Sequence, residues 1–140
     1  MDVRYTPRPE SMKRKTEHQE WLDFAGILLA LAGFFNVIDG SSAIGGSSYV
    51  EDKVLFSSLD TWGWFFLIVG IIQIIAAVGV FKGRTWGAYI AIPTAFFNAI
   101  AHMSAADTYP LLSLSAAALN VLVIYGLIVH GGLRGSSAAR

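Results

Sequence analysis

Four stretches of this chain contain no Asp, Glu, Lys or Arg. Phe24–Ile38 covers 15 residues and extends back to Trp21 across Asp23; Thr61–Phe81 covers 21, Thr85–Ala106 covers 22 and Thr108–Leu133 covers 26. About 20 mostly apolar residues cross the roughly 30 Å hydrocarbon layer of a bilayer as a helix. Lipid offers the backbone no hydrogen-bond partner, so each stretch must satisfy its own N–H and C=O groups as a helix. A closed barrel would need alternating segments of about 10 residues. Leu67-Ile68-Val69-Gly70-Ile71-Ile72 does not alternate. The expected fold is an all-α membrane protein, an antiparallel bundle of four transmembrane helices.

The boundaries follow from the charges. Residues 1–20 are polar, with Pro7 and Pro9, and read as a disordered cytoplasmic arm with some helix near Thr16–Glu20. The transmembrane domain is expected over 21–132, with spans at about 21–39, 61–81, 86–106 and 110–130, followed by a cytoplasmic tail at 133–140. The outer loop, 40–60, contains flexible Gly40-Ser41-Ser42 and Gly45-Gly46-Ser47-Ser48. Its segment Tyr49–Phe56 can form a small hairpin or a short amphipathic helix. Nine of the ten basic residues fall on one side: Arg4, Arg8, Lys13, Arg14, Lys15, Lys82, Arg84, Arg134 and Arg140. Only Lys53 lies opposite, so both termini are expected inside the cell. A cleaved signal peptide ending near Ser41-Ser42-Ala43 is the competing reading of the first span. The apolar stretch is long for one, and Asn36 and Asp39 sit poorly before a cleavage site.

Composition excludes several function classes. Charged residues make up 14% of the chain, against about 25% for a soluble domain. Ten Lys+Arg against ten Asp+Glu leave no basic footprint for nucleic acid. The absence of Cys removes disulfides, thiolate nucleophiles and Cys-ligated metals. No G-x-S-x-G, H-E-x-x-H or Walker A motif is present, and no cofactor is expected.

Helices associate in lipid through small residues and interhelical hydrogen bonds. Gly26, Ala30 and Gly33 supply small residues to the first span. Gly87, Ala91, Ala95 and Ala99 recur every four residues in the third. Gly70 and Ala77 share a face of the second. Pro93 interrupts the third and should kink it. The polar residues at depth are Asn36, Asp39, Gln73, Asn98, His102, Ser113, Ser115 and Asn120. Counting rise from each end places Asn36, Asp39, Asn98, His102 and Asn120 in one outward-facing cluster. It reads either as interhelical hydrogen bonding or as a pocket with Asp39 and His102 as its titratable pair. His102 alone is not a metal site, because zinc needs three or four ligands.

Trp21-x-x-Phe24-Ala25-Gly26 and Gly33-x-x-Asn36-x-x-Asp39-Gly40 open a longer pattern. It continues with Thr61-Trp62-Gly63-Trp64, Gly83-Arg84-Thr85-Trp86, Pro110, Val121–Tyr125 and His130-Gly131. Over about 21–131 it resembles an uncharacterised four-span family of actinobacterial membrane proteins, a domain of unknown function. The resemblance implies a bacterial inner-membrane location and no assigned activity. It also implies a His soon after the Thr-Trp-Gly-Trp motif and an acid in the middle of the fourth span. Here Phe65, Phe66 and Asn120 stand at those places, which weakens a proton relay. The expected function is a non-enzymatic structural or accessory partner of other membrane proteins, or of a second copy. A small-solute or ion transporter working through the polar cluster is the alternative.

Overall fold

A computed structural model of the chain describes residues 9–46, 59–104, 106–107, 110–130 and 133. Its elements are α1 (Glu10–Gly46), α2 (Leu59–Phe81), α3 (Thr85–Ser104) and α4 (Pro110–Val129), with no strand among the described residues. The helices form an antiparallel bundle in which α1 packs on α2 and α4, and α3 on α2 and α4. The end carrying the α2–α3 turn is called the turn end below, and the opposite end the loop end. The expected hairpin at Tyr49–Phe56 falls outside the described residues.

Helix α1 is longer at both ends than the sequence reading expects. It begins at Glu10, with Met12 and Lys13 N–H bonding the Pro9 carbonyl at 2.9 and 3.2 Å. The residues up to Glu20 are strong helix formers, and Gln19 reaches Asp23 one turn on at 2.9 Å. This part of the expected disordered arm is therefore helical. At the other end, Gly40-Ser41-Ser42 continues the helix instead of opening a loop. Ser41 returns its hydroxyl to the Val37 carbonyl at 2.7 Å, and Gly40 is held against α2.

The α1–α2 contact explains that glycine. Gly26, Gly33 and Gly40 recur every seven residues on α1, and Gly63, Gly70 and Ala77 do so on α2. A seven-residue period keeps one face of a helix on its neighbour. A methyl group added to Gly40 would lie 2.5 Å from Leu67 N and 2.6 Å from the Gly63 carbonyl oxygen. One added to Gly70 would lie 2.6 Å from the Gly33 carbonyl oxygen. The two backbones touch, so glycine is required for approach here and not for flexibility. The expected Gly26-Ala30-Gly33 stripe is thus one part of a longer heptad row that includes Gly40.

Lys82-Gly83-Arg84 closes α2 and opens α3. Gly83 adopts φ 62°, the left-handed conformation that ends many helices. Arg84 N–H bonds the Gly79 carbonyl at 2.9 Å, and Gly83 N–H bonds Val80 at 2.8 Å. This pair of bonds satisfies the last carbonyls of α2 and turns the chain back within three residues. Gly79 and Gly87 then meet backbone to backbone.

Three helices, α1, α2 and α4, contain windows long and apolar enough to cross a membrane. Helix α3 is diluted by Pro93, Thr94, Asn98 and His102. Its sidedness nevertheless matches the others. It buries Gly87, Ala88, Ala91, Ala95, Asn98, Ala99 and Ala101 and exposes Tyr89, Phe96, Phe97, Ile100 and Met103. Small residues inside and large apolar ones outside is the arrangement expected of a helix facing lipid. The apolar core gathers Leu22, Ala25, Leu29, Ala76, Val80, Ala88, Ala91, Val123 and Leu127 toward the turn end. The polar side chains occupy the middle and the loop-end half.

Candidate functional site

One chain of hydrogen bonds runs through the interior. His102 Nε2 lies 3.3 Å from Asn36 Oδ1. Asn36 Nδ2 donates to Gln73 Oε1 at 2.7 Å. Gln73 Nε2 donates to Asn120 Oδ1 at 3.2 Å. Asn120 Nδ2 donates to the Ala116 carbonyl at 2.8 Å. Read from His102, every link donates in the same direction, which requires a proton on His102 Nε2. The order of elements is α3, α1, α2, α4, so each helix contributes one side chain. Bonds aligned head to tail polarise one another and strengthen the row.

Local structure sets the row up. Gly33 and Gly70 bring α1 and α2 so close that a methyl on Gly33 would lie 3.1 Å from Gln73 Cβ. Asn36, nearly one turn further along α1, then faces the end of the Gln73 side chain. Gln73 is long enough to cross the bundle and also reach Asn120. Asn36, Gln73 and Asn120 are all essentially buried, at 1%, 0% and 1% exposure. The Phe66 ring lies 5.3 Å from that of His102, and Trp62 lies 5.9 Å from Phe66. Asp39 is part-buried at the loop end and close enough to His102 for their charges to interact.

The expected cluster is therefore assembled only in part. Asn36, His102 and Asn120 are joined. Gln73, a polar residue at depth that is not part of the expected cluster, is its central link. Asn98 shares the α3 face with His102 but stands apart from the row. It is 1% exposed, and neither amide atom has a hydrogen-bond partner among the described residues. Asp39 approaches His102 through its charge. Among the described residues no group of three metal-ligating side chains occurs.

At the turn end, the His130 ring stacks on Trp21 with centroids 4.0 Å apart and planes 15° off parallel. Tyr125 meets the same imidazole edge to face at 5.8 Å. This contact fastens the start of α1 to the end of α4.

A family model described as a domain of unknown function (DUF7144) matches residues 21–132. No curated protein and no solved structure matches the chain.

Proposed function

The chain belongs to this family, whose domain has no assigned function; we propose a role without catalysis. It acts in a bacterial plasma membrane as a structural or accessory partner of other membrane proteins or of a second copy of itself. Both ends lie in the cytoplasm, as the nine basic residues on one side favour. The observation that carries the reading is the interior amide row. Asn36, Gln73 and Asn120 each commit one N–H to another of the three or to a backbone carbonyl. Polar groups engaged in this way hold helices together in lipid. The large side chains left outside, among them Phe34, Phe35, Phe96 and Phe97, give lipid or a neighbouring helix an apolar surface.

The test is photo-crosslinking in intact cells from single lipid-facing positions, such as Ile27, Phe97 and Val121. A discrete protein adduct confined to one face of the bundle is the expected result. Lipid adducts alone from every face, with a strictly monomeric purified protein, would remove the reading.

A transporter is the second reading, favoured by the part-buried Asp39 near His102 at the loop-end terminus of the row. Four helices enclose no wide pore, so it requires an oligomer. If proteoliposome flux of a small ion or solute exists and is lost in Asp39→Asn with His102→Gln, this reading displaces the first. Flux that is absent, or unchanged by the pair, leaves the first standing.

A further inference from the structure

The interior amides carry more hydrogen-bonding capacity than their mutual bonds consume. Each Asn or Gln amide has two N–H donors and a carbonyl acceptor. The row uses one N–H on each of Asn36, Gln73 and Asn120. A second N–H on each is left over, and Asn98 has spent none of its capacity. All four side chains are 1% exposed or less. An unmet buried donor is unfavourable, and a bilayer supplies no solvent to relieve it.

The residues that flank Asn98 are small. Its neighbours along the buried α3 face are Ala91, Ala95, Ala99 and Ala101. Counted inward from the α3–α4 connection at 1.5 Å per residue, Ala117 of α4 stands at a similar depth and is buried too. His102, the donor that opens the row, lies one turn away on the same helix. The Asn98 amide presents a donor and an acceptor together. A guest satisfying both must itself donate and accept, which favours a neutral molecule over an ion. Asp39 further disfavours an anion on this side of the bundle. Buried waters make about three hydrogen bonds to otherwise unpaired polar groups, which matches this donor and acceptor set.

We propose that the bundle encloses a hydration site at Asn98. One or more water-sized, neutral, hydrogen-bonding molecules pair with both the donor and the acceptor of its amide. The site is internal and goes beyond the accessory role above, which holds or fails without it.

Side-chain amide NMR of the full chain in lipid nanodiscs tests this directly. The Asn98 Nδ2 proton pair is assigned by its disappearance in Asn98→Ala. Asn98→Ser serves the same purpose if the alanine variant does not fold. The expected result is a water cross-peak at these protons with the sign of a long-lived contact. It should persist when a water-soluble paramagnetic chelate has broadened the exposed amides. Absence of the water cross-peak in folded protein would overturn the proposal. So would broadening of the Asn98 pair together with exposed groups, because the contact would then be with bulk solvent.

Discussion

Replacing Gly70 with alanine destabilises the bundle by an amount at or above the top of the about 1–3 kcal/mol range for overpacking. The added methyl would sit 2.6 Å from the Gly33 carbonyl oxygen, 2.8 Å from Val37 N and 2.9 Å from the Val37 side chain. Two of these atoms are backbone and cannot rotate away. The helices must separate, and separation lengthens the Asn36–Gln73 bond as well. Two control substitutions isolate the cause. At Gly26 the three atoms nearest the new methyl all belong to the Phe81 ring, the closest 2.8 Å away, and a side chain can swing, so Gly26→Ala costs little. At Gly45 nothing lies within 4 Å, so alanine gains about 0.5–1 kcal/mol from lower backbone entropy in the unfolded chain. Unfolding of the three variants in detergent micelles checks the order: Gly45→Ala most stable, Gly26→Ala next, Gly70→Ala least. Equal stability of Gly70→Ala and Gly45→Ala would mean that the two backbones do not touch.

The second large effect is at Gln73. Gln73→Leu keeps the volume and removes the central link of the row. Interhelical hydrogen bonds in membranes average about 0.6 kcal/mol and reach about 1.7. Two are lost here, and Asn36 and Asn120 each keep a buried group with no partner, at about 1–3 kcal/mol. The two orphaned groups alone put the expected loss at about 2–6 kcal/mol. Combining Gln73→Leu with Asn120→Leu removes an orphan along with its partner. The double variant should then lose less than the sum of the singles, with a coupling of at least about 0.5 kcal/mol. Additivity within about 0.3 kcal/mol would show that Gln73 and Asn120 do not act on each other.

The spans were legible because lipid excludes charge, and the charge-free stretches leave the chain few alternatives. Their ends were less so. Gly40-Ser41-Ser42 has the composition of a loop, and only the facing Gly63 shows that its glycine serves close approach. Residues 10–20 carry helix formers, while Pro7, Pro9 and the mixed charge have the composition of a disordered arm. The polar cluster was found by depth, which ranks residues along the membrane normal but says nothing about register between helices. Gln73, about 12 residues into the second span, has nearly the depth of Asn120 in the fourth, so depth gives no ground for leaving it out. The missing signal was in the chain: aligning the heptad row 26, 33, 40 antiparallel with 63, 70, 77 puts Gln73 beside Gly33 and within reach of Asn36. Asn98 shows the limit of face counting. Four residues from His102 it shares a face, yet its amide is left off the row.

Helix α3 is the element on which the four-crossing topology turns. Unlike the other three it has no window apolar enough to cross by composition alone, and the proposal that it crosses rests on its buried small face, its exposed aromatic face and its place between α2 and α4. An even number of crossings puts both ends of the chain in one compartment, whereas three would divide them. The most direct test is a pair of dual-compartment reporters, one fused before Met1 and one after Arg140. Cytoplasmic signal from both is the predicted result; signals from opposite sides of the membrane would contradict it.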